Sequence, residues 1–443
     1  MAALEQNAGA TTAEATSAAA TTTEADEVAL KYLAGPPPDN ATPEELLDYI
    51  LWMIEDQQLF KAKACLDRLE AHPDLAEGSS SVEGLVEARG LPTYKVGALR
   101  KYVEESEKAK SEFDNDDGWE LAQDLFGVKT YWKMEPGERA IYTKMEGDLQ
   151  DLSLVCLAST LREIDLYSTW LPFCIMSDIT QWKGRCDVLC HFGIQVPFMY
   201  RDCYVHAFLC DTIYDDGSFM LVGGSPGSFM SSGPDSEDVE AVTEYGDVEL
   251  KPCDKSWNAS WGSAARMDVK AFSAQFTQLS ENTVRARVVT CIDPSVPLPM
   301  PIINFCVKHI AGVVLSLLAA VARRIQNHPE KSEHAARIRT DPFYSGFLIP
   351  KCDRVYDAKG WKRTELFQKQ AGAGDDDEVE RLRRDGEAAA AEADGWFGGG
   401  AGAVKGLVGA TVGVAGGVWG GVKGWFGQAD EGAKAGEAGV VRE

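Results

Sequence analysis

Residues 283–324 read TVRARVVTCIDPSVPLPMPIINFCVKHIAGVVLSLLAAVARR, and two hydrophobic periods meet within them. From Thr283 to Ile292 apolar and polar side chains alternate. Val284, Ala286 and Val288 fall on one face, Arg285 and Arg287 on the other. That is the period of a strand with one buried and one wet face. Pro297-Leu298-Pro299 then halts the sheet, because proline has no N–H to give a ladder. From Pro301 the period becomes helical: Ile302, Ile303, Phe305, Val307, Ile310, Val313, Val314, Leu317, Leu318 and Val321 precede Arg323-Arg324. Such a helix is long enough to cross a bilayer. Lys308-His309 inside it would be costly in lipid, so a core helix is predicted.

Upstream, strands are expected at Cys186–Val196, Asp202–Tyr214, Ser218–Gly223 and Met267–Leu279. The last two flank an acidic insertion, about Ser228 to Gly262, with eight acids against two lysines. Residues 152–182 read as helices broken at Trp170-Leu171-Pro172. Val128–Met134 and Ala140–Glu146 read as a hairpin across Glu135-Pro136-Gly137-Glu138, and Gly118-Trp119-Glu120-Leu121 as the opening of a short helix. A curved antiparallel sheet gripping the long C-terminal helix is the simplest packing of that order, an α+β fold.

Before this body lie a segment at 1–40, rich in Ala, Thr and Glu and expected to be disordered, and a small helical module at 41–112. Thr42-Pro43-Glu44-Glu45 carries an N-cap, a proline at the first helical position and the Glu of a capping box. Further helices are expected through Phe60–Leu69 and between Val82 and Glu107, interrupted near Pro92. The module reads as an accessory bundle or as a docking hairpin for a protein partner. Its sequence does not choose between them.

Lys and Arg total 43 against 69 Asp and Glu, a formal charge of −26, which speaks against nucleic-acid binding. The first 30 residues hold no Lys or Arg, unlike a secretory or mitochondrial leader, so a cytoplasmic location is expected. The 11 cysteines sit mostly in apolar runs, as buried reduced thiols do. Cys186, Cys190-His191, Cys203, His206 and Cys210 lack the spacing of a structural zinc site, and no metal or other cofactor is predicted. Gly223-Gly224-Ser225-Pro226-Gly227 lacks the Lys-Ser/Thr of a phosphate loop, and no nucleophile elbow occurs.

From Asp116 to His328 the chain resembles the START domain, the steroidogenic-acute-regulatory-related lipid-transfer family. Five pieces in order carry the resemblance: Trp119; Asp165-Leu166-Tyr167 with Trp170; Val196-Pro197 before Arg201-Asp202-Cys203-Tyr204-Val205; Cys291-Ile292-Asp293-Pro294; and Leu298-Pro299 with Ile302-Ile303-Asn304. Cys203 stands where an aromatic is usual, and the insertion is longer than expected. Where sterol-binding relatives place an inward Glu and Arg, ungapped alignment on Arg201-Asp202 puts Val188 and Ala207. The resemblance implies a helix-grip fold over residues 113–330 and a lipid held in an apolar cavity, with the helix Ile302–Val321 as a mobile lid and no enzymatic role.

The residues alone support an apolar concave face of Val188, Cys190, Phe192, Cys203, Val205, Ala207 and Leu209. Such a face either fills a core or buries an acyl chain, at roughly 0.8 kcal/mol per methylene. Ile303, Val307, Ile310 and Val314 would complete it from the helix. Arg201 reads as a structural tie or as a contact to a lipid headgroup. The alternatives to a carrier are a non-enzymatic membrane-associated scaffold with a filled core and, more remotely, an enzyme on the same fold.

Residues 331–374 form a basic and aromatic extension. Across 323–370 there are eleven Lys or Arg against six acids, interleaved with Phe343, Tyr344, Phe347, Trp361 and Phe367. That pattern suits an anionic membrane surface or a wrap around the acidic body. Residues 375–443 form a Gly-rich tail. Placed on a helix, 396–427 gathers Trp396, Phe397, Leu407, Val418, Trp419, Trp425 and Phe426 on one face. The expectation is a segment that becomes helical on a membrane and makes the protein peripherally membrane-associated.

Overall fold

The computed structural model describes residues 35–76, 81–90, 94–171, 174–196, 199–226, 265–295, 300–362 and 367. Residues 1–34, the acidic insertion and the predicted membrane segment 396–427 lie outside them. Ten strands form one sheet: β1 (Glu120–Leu125), β2 (Val128–Lys133), β3 (Ile141–Gln150), β4 (Cys174–Trp182), β5 (Asp187–Val196), β6 (Met199–Thr212), β7 (Ser218–Gly224), β8 (Ala265–Arg266), β9 (Asp268–Ser280) and β10 (Thr283–Asp293). Their order is β1-β2-β3-β10-β9-β7-β6-β5-β4, antiparallel throughout, with the short β8 parallel to β6.

Both ends of the sheet depart from the sequence reading. The short helix expected at Gly118–Leu121 is instead the start of β1. Phe126 and Gly127 both take positive φ, 56° and 75°, and this two-residue turn pairs Leu125 with Val128. Residues 174–182, expected to be helical, form the edge strand β4. Its register against β5 shifts twice, between Cys174 and Met176 and between Ile179 and Gln181. Those bulges blur the period of two by which a strand is recognised.

The N-terminal helices cover the convex face. Pro43–Glu55 is capped as expected, with Thr42 and Glu45 bonding each other's backbone N–H. Leu59–Glu70, Val82–Ala88 and Tyr94–Asp114 follow it. Leu47, Ile50, Leu66, Leu69 and Leu99 share one apolar cluster with Phe208, Cys210, Met220, Val222 and Val289 of the sheet. The Tyr102 ring stacks on Phe208 with centroids 4.1 Å apart. Its hydroxyl donates to Asp187 (2.5 Å), which also holds His206 Nε2 at 2.8 Å. The outer face of β10 is therefore wet only in part. Arg285 is exposed, but Arg287 is half-buried against Asp114 (2.7 Å), and Val289 and Cys291 are buried.

The concave face holds helix Leu154–Arg162, the 3-10 turn Ile164–Thr169 and a long helix. The latter runs through Met300–Phe305, a π-helical turn Cys306–Ala311, and Gly312–Asn327. Leu315, Leu318, Ala319, Ala322 and Ile325 are buried in the main core, so the length that suits a bilayer is spent inside the protein. Within the π turn, the Lys308 carbonyl accepts a hydrogen bond from Gln123 Nε2 of β1 at 3.0 Å.

The extension wraps. Helix Glu333–Thr340, a π turn at Tyr344–Leu348 and helix Ile349–Lys359 lie on the body, with Tyr344, Phe347, Leu348, Cys352 and Tyr356 buried. Arg337 reaches Glu163 (2.7 Å) and Asp165 (2.6 Å), and the Tyr344 hydroxyl donates to Glu163 at 2.5 Å. Of the two readings of its aromatic residues, packing on the body describes residues 333–362.

Candidate functional site

The two faces of β6 differ in the size of what they carry. Cys203, Val205 and Ala207 point inward, while Tyr204, His206 and Phe208 point outward. On β5, Val188 and Cys190 point inward beside Phe192. Val188 pairs directly with Ala207, and Cys190 with Val205. Small inward residues on neighbouring strands leave the concave face unfilled. On β7, Gly223 lies so close to β6 that a Cβ there would stand 2.4 Å from the His206 carbonyl, and Phe219 and Leu221 supply that strand's share of the wall. A cavity of about 470 Å³ results, bounded by the sheet, the long helix and the extension.

Val188, Cys190, Phe192, Cys203, Val205, Ala207 and Leu209 all line it. So does Arg201, whose Nε donates to the Pro294 carbonyl at 3.2 Å. Its neighbour Asp202 faces the other way, holding His191 Nε2 at 3.0 Å and Arg266 through two bonds. Val307 and Val314 of the long helix line the cavity, but Ile303 does not. It is buried one turn earlier, outside the lining. Ala311 joins Val307 and Val314 in the wall, at the four- and seven-residue spacings that share one face of a helix. The side chain of Ile310 lies outside the described residues.

Sequence reasoning missed most of the remaining wall. Thr143 and Met145 on β3 and Val288, Thr290 and Ile292 on β10 line it, as do Leu161, Arg162 and Tyr167. The alternation of β10 was a sufficient signal for its share. Phe343, Phe347, Leu348 and Lys351 close one end from the extension. Nothing in a local pattern ties a segment that far along the chain to a strand face.

Charge is confined to the ends. Lys351 Nζ, in the closed end, is held by Asp56 Oδ2 of the N-terminal module (2.9 Å), by the Asp56 carbonyl (2.8 Å) and by Asp211 of β6. Burial opposes the Lys351 ammonium, yet the two carboxylates outweigh it and raise its pKa. Burial likewise pushes the Asp211 carboxyl above the ordinary carboxylate range, against the pull of Lys351. Arg162 is spread over Phe343 (4.1 Å to the ring centroid) and Trp182 (5.1 Å), with Nη1 bonded to Glu163 and Asp341.

The walls between these ends have little reactive chemistry. Burial raises the Cys186 and Cys203 thiols to about 12 and pushes Cys190 further up, so they stay protonated and poorly nucleophilic at neutral pH. The surface that remains is apolar and suited to shape-selective burial of an apolar ligand.

No family model matches the sequence, and neither does any curated relative. Among solved structures the chain is similar to human STARD10, at 13% identity over 55% of this chain and 86% of that one, with a TM-score of 0.41. It is also similar to human StAR-related lipid transfer protein 5, at 13% identity over 52% and 98%, with a TM-score of 0.39. A STAR-related lipid transfer protein from Xanthomonas axonopodis follows at 16% over 46% and 99%, with a TM-score of 0.35. The strand order and the gripped helix described above are those of a START-like helix-grip fold.

Proposed function

We propose that this protein binds one lipid in the cavity and carries it between membranes. The observation that supports this reading is a largely apolar space of about 470 Å³ on the concave face, in the range of small-molecule sites. A filled scaffold core would have no use for inward Cys203, Val205 and Ala207 beside outward aromatic residues. Each methylene buried there gains roughly 0.8 kcal/mol, so about sixteen are needed for micromolar binding after an immobilisation cost of about 4 kcal/mol. Val188, Cys190, Phe192, Cys203, Val205, Ala207 and Leu209 hold the tail, with Val307 and Val314 on the helix that must move to admit it. The carrier reading is non-enzymatic: the charged groups of the wall, Arg162, Arg201, Asp211 and Lys351, are engaged in ion pairs or hydrogen bonds, and between them lie mainly thiols, aliphatic and aromatic carbon. The segment 396–427 brings the protein to a membrane surface, and the N-terminal helices are the place for a protein partner. The test is a vesicle assay. The full chain should accelerate movement of a fluorescent acyl lipid from donor to acceptor vesicles. Ala207→Trp, which fills the cavity from its centre, should abolish that acceleration. Equal rates with and without protein would overturn the proposal.

A further inference from the structure

A second cleft, of about 490 Å³, opens beside the cavity at the end closed by the extension. Arg162, Trp182, Phe343 and Phe347 line both spaces, so one wall of side chains separates them. Among the described residues, the charged ones that line the cleft are Arg162 and Arg185, both cationic. Each guanidinium lies on an aromatic ring of the extension: Arg162 on Phe343 at 4.1 Å and Arg185 on Phe347 at 4.5 Å. A guanidinium stacked by its face keeps its N–H edges for a planar or tetrahedral anion. Arg162 keeps Nη1 on Glu163 (3.0 Å) and Asp341 (2.9 Å), so its charge is already paired, while its Nε and Arg185 are less committed. Arg162 Nε is buried without an acceptor among the described residues, and the hydrogen bond of Arg185 is a long one, 3.4 Å to the Glu55 carbonyl. Arg185, Trp182 and Gly346 are exposed, so the cleft meets solvent.

We infer that this cleft is the headgroup port of the cavity and selects an amphiphile with an anionic head, carboxylate or phosphate, on an apolar tail. The inference rests on the carrier reading above. A charged head cannot be left in the aliphatic interior without a partner, whereas at the cleft it meets two guanidinium groups in charge-assisted contact. The tail passes between Trp182 and the Phe343–Phe347 pair into the cavity. The port therefore belongs to the extension as much as to the sheet, and the extension gives the domain its head selectivity.

The experiment uses the full chain, stripped of lipid, with three probes of one tail length: hexadecanoate, hexadecyl phosphate and 1-hexadecanol, at pH 8 and followed by native mass spectrometry. Both anions should bind at least tenfold more tightly than the alcohol, and their relative strengths separate a carboxylate from a phosphate preference. Arg185→Gln, which removes little native bonding, should erase most of that tenfold while hexadecanol binding holds. Arg162→Gln should act in the same direction, with folding checked by circular dichroism because it also loses Asp341. Equal binding of the three probes, or an Arg185→Gln loss shared by the alcohol, would overturn the port and leave the cavity standing. Uptake of none of them would overturn the carrier reading itself.

Discussion

The two faces of the same sheet are built on opposite terms. The convex face is packed like any interior: Tyr102 on Phe208, Leu66 and Leu99 over Met220 and Val222, and Asp187 shared between Tyr102 and His206. The concave face, one residue along each strand, carries Cys203, Val205, Ala207 and Val188 and leaves a space of about 470 Å³. On β6 the convex face carries the larger side chains, Tyr204, His206 and Phe208, with its buried polar groups paired, and the concave face the smaller ones. The N-terminal helices thus supply the stability that a hollow domain withholds from its other side.

Mutations should respond differently on the two faces. At their junction, Lys351→Ala leaves the buried Asp211 and Asp56 carboxylates without their cation and should cost about 3–5 kcal/mol in denaturant unfolding. That loss should shrink on acidification, because Asp211 is already biased toward its protonated form. On the convex face, Phe208→Ala should cost about 3–5 kcal/mol, as truncation of a fully buried aromatic does. On the concave face, Ala207→Leu should shift stability by less than about 1 kcal/mol while reducing lipid uptake, where a packed site would lose about 1–3 kcal/mol. An equal penalty at the neighbouring positions 207 and 208 would break the comparison.

The smallest effect concerns pH. Burial pulls the pKa of His334, which meets Ser159 at 3.2 Å, below the usual histidine value, although Glu163 pulls the other way. The unfolded chain then binds that proton more readily than the folded one. The stabilisation is present above about pH 6.5 and is lost progressively below it, as pH falls through the lower pKa of the folded state. Unfolding midpoints should decline from pH 7.5 to 5, and His334→Gln should flatten that slope.

Much of this contrast was legible in the sequence, because parity on a strand is exact. Once Arg201-Asp202 fixed the register, the inward residues of β5 and β6 followed, and Val188 does pair with Ala207. The capping box at Thr42 and the limits of β7, β9 and β10 were equally plain. The helix lining was read less well. Ala311 lines the wall although its small side chain gives no apolar signal of its own, and Ile303 is buried outside the lining. Bulges hid β4, and a two-residue turn whose first position is Phe126 hid β1. The extension was illegible in principle. Phe343 and Phe347, four residues apart, suit a membrane or a protein surface alike, and only tertiary packing set them into the cavity wall.

The central claim is that the concave face is hollow in order to hold a lipid. The most direct test is native mass spectrometry of the full chain purified from cells, followed by extraction and identification of what it carries. The account predicts one bound amphiphile per chain, lost on Ala207→Trp. A chain that arrives empty and takes up nothing from mixed-lipid vesicles would contradict it.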